Sequence, residues 1–165
     1  MKRLIAAIGI SVLLTVTAAA QATKYGVTVK AEKNVDFAKL RTYSWTPGRP
    51  AFDKTVNARI VEAVDRELGL LGMAKGTAEA SDVLVSYSSL ARTDSDTAAK
   101  PDTKGALPRN TVGVLSVAFS DPHNRRQLLL LRSDQPIDTD PVALEAAIND
   151  AVKAMFAKYP ARKSN

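Results

Sequence analysis

TVGVLSVAFS-DPHNRR-QLLLLRS, running from Thr111 to Ser133, decides the fold. Its middle, Asp121-Pro122-His123-Asn124-Arg125-Arg126, is built of turn formers: proline presets its own backbone angle, and Asp and Asn bond nearby backbone N–H groups. β-prone runs on both sides, Thr111–Ser120 and Gln127–Ser133, predict a hairpin. Leu128–Leu131 is four leucines without polar alternation, so this strand is expected inside the sheet with both faces at least partly covered. Upstream, Ser81–Leu90 puts Val83, Val85 and Tyr87 on one face and Ser86 and Ser88 on the other, the pattern of a sheet with one wet face. Short links favour antiparallel pairing among these three strands.

Two helices flank the three strands. From Asp53 to Gly72, Val56, Ile60, Val64, Leu68 and Leu71 recur at helical spacing, with Val61 beside them, making one apolar stripe. Asp53 or Thr55 can cap its start, and Gly72 can take the left-handed conformation that ends it. The second helix has Asp140 as its cap and Pro141 in its first turn, where no N–H is needed. Its stripe is Leu144, Ile148, Val152, Met155 and Tyr159, and Pro160 ends it. Near the start of the chain, Tyr25–Lys30 alternates and Thr42–Trp45 is β-prone before the Pro47-Gly48 turn. These two are read as a first strand pair, joined by a polar connection containing Phe37. Residues 92–110, with Pro101, Gly105 and Pro108 and little apolar content, read as a long polar loop. The order β-β-α-β-β-β-α predicts a two-layer α+β domain: an antiparallel sheet of about five strands with both helices on one face.

The domain is expected to span residues 23–160, because residues 1–22 carry an address. Lys2 and Arg3, the apolar run Leu4–Val16, and small residues at Ala20 and Ala22 form a secretory signal, with cleavage expected between Ala22 and Thr23. That apolar run is shorter than the ~20 residues a membrane helix needs, so no span remains after cleavage. Residues 161–165 form a basic tail.

The whole chain has 165 residues, 45% hydrophobic and 24% charged, with net charge +6 and no cysteine. This is the composition of a folded protein. Losing Lys2 and Arg3 with the signal leaves 21 basic against 17 acidic residues, a net charge of +4. The missing cysteine excludes disulfides, thiolate nucleophiles, cysteine-ligated metals and lipid attachment at cysteine.

The element order, with Asp36-Phe37, Thr42-Tyr43-Ser44-Trp45, Ile60–Gly72, Ser81–Tyr87, the strand ending at Asp121, and Tyr159-Pro160, resembles the small bacterial envelope proteins grouped as domain of unknown function family 4136. The resemblance covers almost the whole mature chain. Many of those relatives look like lipoproteins with a cysteine at the cleavage site; this chain has none, so anchoring does not carry over. Relatives often carry a Trp and a Gly in the fifth strand, where this chain has Leu and Ser133. The resemblance implies an envelope location and transfers no catalytic residues.

Few residues point to chemistry. His123 is the only histidine, and it sits in a charged turn, too isolated for a zinc set or a catalytic triad. Asp94, Asp96 and Asp102 fail as a calcium loop: counting from Asp94, the sixth position is Ala99 and the twelfth is Gly105, where an EF-hand needs Gly and Glu. Phosphate-binding glycine patterns and serine-hydrolase elbows are absent. No cofactor or metal is expected. Arg125, Arg126 and Arg132 concentrate positive charge around one hairpin, and Tyr43 and Trp45 share a strand face that suits either a core pair or the wall of a ligand groove. These five are the candidate binding residues, for an envelope protein, an anionic lipid or a glycan. Nucleic acid is not expected, because aromatic residues are not interleaved with the basic ones. The sequence thus predicts a non-enzymatic, periplasmic or secreted protein, soluble and not lipid-anchored. The alternative is a hydrolase with a cleft beside the 92–110 loop.

Overall fold

The computed structural model describes residues 25–97, 99–137 and 140–161. The expected cleavage site at Ala22 and Thr23 and the end of the basic tail lie outside these residues. In chain order the elements are β1 (Gly26–Ala31), a 3-10 turn (Phe37–Lys39), β2 (Thr42–Trp45), α1 (Lys54–Leu70), β3 (Ala74–Lys75), β4 (Val83–Ser95), β5 (Arg109–Ser120), β6 (Gln127–Pro136) and α2 (Pro141–Ala157). The architecture is α+β, as expected.

The sheet differs from expectation in two ways. It has six strands in the order β1-β6-β5-β4-β2-β3, and it is mixed. β4, β5, β6 and β1 are successively antiparallel, whereas β2 is parallel to both β4 and β3. The cause is α1: a helix between two neighbouring strands of one sheet returns the chain in its original direction, so the strands it joins run parallel. β1 and β2 are not a pair. Phe37 instead turns inward between them, meeting the Tyr159 ring edge-on at 5.8 Å, while the Tyr159 hydroxyl donates to the Phe37 carbonyl at 3.3 Å. The connection is thereby tied to the end of α2, and β1 is delivered to the far side of β6.

The segment 92–110 is mostly strand at its ends. β4 continues to Ser95 and β5 begins at Arg109, with Asp94 opposite Asn110. Polar sequence misleads here because a hairpin needs only backbone pairing where neither face meets the core. The strands of this hairpin thus end at Ser95 and begin again at Arg109.

Both helices pack on one face. Ile60, Val64 and Leu68 of α1 and Ile148, Val152, Met155 and Phe156 of α2 share one core with Val83, Val85, Tyr87, Val117, Phe119, Leu129 and Leu131 of the sheet. Asp53 caps α1, its carboxylate accepting from the Thr55 and Val56 N–H groups at 2.7 and 3.1 Å. Those N–H groups hold the carboxyl below its ordinary range. Asp140 caps α2 in the same way, at 3.0 Å from both Val142 and Ala143 N–H. Gly72 ends α1 at φ 78°, a conformation that costs a side-chain-bearing residue. Among the described residues, no helix is long and apolar enough to cross a membrane.

Candidate functional site

The five candidate binding residues fall into three separate places. Tyr43 and Trp45 lie on β2 facing α1, and both donate to one carboxylate oxygen, Oδ1 of Asp65, at 2.7 and 2.8 Å. Lys75 Nζ lies 3.2 Å from the other oxygen. Burial, with the Asp65 carboxylate beside it, raises the Tyr43 hydroxyl well above the ordinary tyrosine range. The Trp45 ring meets Tyr87 edge-on at 6.2 Å. Tyr43 is buried and Trp45 half-buried, so they form a core pair with a polar edge.

Arg125 and Arg126 are exposed in the β5–β6 turn. Arg125 has φ 61° and donates to Thr46 Oγ1 at 3.5 Å, and Arg126 lies 3.7 Å from Glu32. Arg132 is elsewhere, in mid-strand on the face away from the helices. It donates to Asp134 Oδ1 at 2.7 Å, and Arg92 reaches Asp134 Oδ2 at 2.8 Å. The two guanidinium groups, Arg132 first, hold the Asp134 carboxyl below its ordinary range. Arg132 is therefore paired within its own strand, and the three arginines make no single patch. His123 is exposed, its N–H spent on Asp121 at 2.8 Å.

A cleft of about 350 Å³ opens at the opposite end of the sheet, where both helices begin. Its origin is a change in side-chain size along the core face. Over the middle of the sheet that face carries Val85, Tyr87, Val117, Phe119, Leu129 and Leu131. Toward the helix N-termini the same alternating positions become Ser89 and Ala91 on β4, Gly113 on β5 and Ser133 on β6. Ala147 and Ala151 face them from α2, and the space left over is walled by Val56, Ile60, Leu115, Leu144 and Ile148. Gly113 is required there: a Cβ on it would meet Ile137 Cγ2 at 2.6 Å, and Ile137 forms one wall.

The mouth carries an aromatic residue. Residues 46–51 run along β4: Arg49 N–H donates to the Tyr87 carbonyl at 2.9 Å, and Ser89 N–H donates to the Arg49 carbonyl at 3.0 Å. Gly48 permits this approach, because a Cβ there would lie 2.1 Å from the Tyr87 oxygen. Ala51 N–H donates to the Tyr87 hydroxyl at 3.2 Å, and that hydroxyl donates to Asn57 Oδ1. The next residue, Phe52, stands fully exposed at the rim; among the described residues, Leu90 and Val142 are also large apolar side chains exposed toward this end of the sheet.

Asp53 and Gln135, the larger polar side chains lining the cleft, have partners within the fold. The Asp53 carboxylate caps α1, and Gln135 Nε2 donates to the Ala147 carbonyl at 3.1 Å. His123 lies at the other end of β5, about 20 Å away at about 3.3 Å per residue. Among the described residues, no group of three or more His, Asp or Glu is placed to hold a metal ion. What the cleft can do chemically is remove an apolar group from water, each buried methylene being worth about 0.8 kcal/mol. Its size lies within the range of small-molecule sites, about 300–1,000 Å³.

Sequence reasoning missed this cleft. The available signal was the drop in side-chain size at Ser89, Ala91, Gly113 and Ser133, together with a lone phenylalanine in a Pro/Gly segment.

The comparisons agree with this architecture. The chain belongs to the family described as Domain of unknown function (DUF4136), whose profile matches residues 27–161. Comparison with curated proteins gives no match. Among solved structures, a PDZ domain protein from Parabacteroides distasonis is similar at 14% identity and a TM-score of 0.59. The match covers 85% of this chain but 36% of that one, so the chain spans about a third of that protein's length. A PelC dodecamer from Paraburkholderia phytofirmans matches at 7% identity and a TM-score of 0.56, covering 84% of this chain and 99% of that one. A variant of that dodecamer matches at 8% identity and 0.52, covering 79% and 96%. At these identities the likeness is one of fold.

Proposed function

We propose that this chain is an exported, non-catalytic cell-envelope protein whose cleft holds the apolar portion of another envelope component. The observation that carries this reading is the cleft itself: about 350 Å³, with mostly apolar walls and Phe52 exposed at its mouth. A pocket whose walls are mostly apolar, with few polar groups, selects chiefly for apolarity and size. The secretory pattern of residues 1–22 and the envelope character of the family it resembles support a periplasmic or secreted location. The hydrolase reading draws less support, because the cleft's carboxylate is committed to the α1 N-terminus and the histidine sits at the far end of the sheet.

The test is a titration of the purified protein with the neutral dye N-phenyl-1-naphthylamine, which brightens in apolar surroundings. One saturable site is expected. Ala147→Trp, which places an indole in the cleft from a half-exposed helix position, is expected to abolish it while leaving the melting temperature within a few degrees. Equal brightening of both proteins would contradict the proposal.

A further inference from the structure

β1 lies at an edge of the sheet, and its hydrogen-bonding direction can be worked out residue by residue. β1 pairs antiparallel with β6, with Gly26 opposite Asp134, Thr28 opposite Arg132 and Lys30 opposite Leu130. Glu32 N–H donates to the Leu128 carbonyl at 2.8 Å, continuing that register. In an antiparallel ladder the bonded and non-bonded pairs alternate. Gly26, Thr28, Lys30 and Glu32 therefore turn their backbone groups toward β6. Val27, Val29 and Ala31 turn theirs outward.

Among the described residues, one group meets that outward edge: Lys158 Nζ donates to the Val27 carbonyl at 2.9 Å. The N–H and C=O groups of Val29 and Ala31 are left as an open template, the arrangement that captures extended peptides by strand addition. β3, at the other edge, has only two residues and offers no comparable length. The charge around β1 is mainly basic. Lys30 and Lys33 are exposed on the strand and just beyond it, and Lys158 stands over its edge. The neighbouring acid, Glu32, has Arg126 at 3.7 Å.

We propose that the outward edge of β1 takes an added strand from an extended acidic segment of a partner protein. Val29 and Ala31 supply the ladder, and Lys30, Lys33 and Lys158 attract the partner's carboxylates. This site is separate from the cleft, and either can fail without the other.

The test uses amide hydrogen exchange read by NMR on the full exported protein, with a seven-residue peptide of alternating Glu and Val as probe and its Lys/Val counterpart as control. The acidic peptide is expected to slow exchange at Val29 and Ala31 about tenfold or more, while Thr28 and Lys30, already bonded to β6, change little. Lys30→Glu with Lys33→Glu is expected to weaken binding about tenfold, roughly what opposing charges of this kind supply. Val29→Pro removes an outward donor without touching the β6 ladder and is expected to abolish the protection; the charge reversal stands as the test if the proline variant unfolds. Unchanged exchange at Val29 and Ala31, or equal protection by the lysine peptide, overturns the proposal. So does concentration-dependent protection without peptide, which would make a second copy of the chain the occupant.

Discussion

Trp45 on β2 and Asp65 on α1, twenty residues apart, are joined by a 2.8 Å hydrogen bond, and Tyr43 donates to the same oxygen at 2.7 Å. One carboxylate thus fixes α1 over β2, the strand that runs parallel to both its neighbours. Removing it strands two largely desolvated donors, each worth about 1–3 kcal/mol when left unpaired. Asp65→Ala is expected to cost about 2–4 kcal/mol in urea unfolding and to shift Trp45 emission to the red. Asp65→Asn keeps an acceptor oxygen and is expected to cost less. Equal stability of Asp65→Ala and the parent protein would contradict this role.

Gly48 makes a second, purely steric prediction. A methyl group there would lie 2.1 Å from a backbone oxygen that already accepts from Arg49. Backbone cannot rotate aside as a side chain can, so Gly48→Ala is expected to cost about 3 kcal/mol. For a domain of this size that lowers the melting temperature by about 10 °C. Because residues 46–51 also carry Phe52 to the rim, the same variant is expected to weaken dye binding in the cleft.

Alkaline pH should unfold the protein through its tyrosines. Burial pushes Tyr159 up to about 12 from an ordinary 10.0, and Tyr43 and Tyr87 are raised in the same direction, also chiefly by burial. A hydroxyl whose folded value is raised favours the folded state fully below the unfolded value and loses that contribution as pH climbs toward the folded one. For Tyr159 the window runs from about pH 10 to 12 and the loss is on the order of 3 kcal/mol. Stability measured by urea unfolding is expected to fall steeply across that window, with tyrosinate absorbance rising together with loss of helical circular dichroism. Ionisation of all tyrosines with the fold intact would contradict the burial of these hydroxyls.

The extent to which this fold was legible in the sequence can be judged from particular residues. The stripe Val56, Ile60, Val64, Leu68 reads as a helix face because 3.6-residue spacing is a local property, and the caps Asp53 and Asp140 read correctly for the same reason. The β5–β6 hairpin was legible from its turn chemistry. Strand partners were not. β1 finds β6 about a hundred residues away, and nothing in Gly26–Ala31 names Leu129 or Arg132 as neighbours. The parallel run of β2 follows from the helix that succeeds it, which returns the chain in its original direction. The basic cluster dissolved because Asp134, two residues along β6 and shared with Arg92 of β4, claims Arg132. The cleft stayed hidden because it is made of small residues, which carry no periodic signal of their own.

The central claim, an apolar ligand between the helix N-termini, is tested most directly by adding stearic acid carrying a nitroxide to methyl-labelled protein and recording which resonances broaden. The expected result is selective loss of the Ile60, Leu115, Ile137, Leu144 and Ile148 methyl signals, reversed by unlabelled stearic acid, with Val83 and Leu129 at the other end of the core unaffected. Uniform broadening, or none at a saturating concentration of the labelled acid, would contradict it.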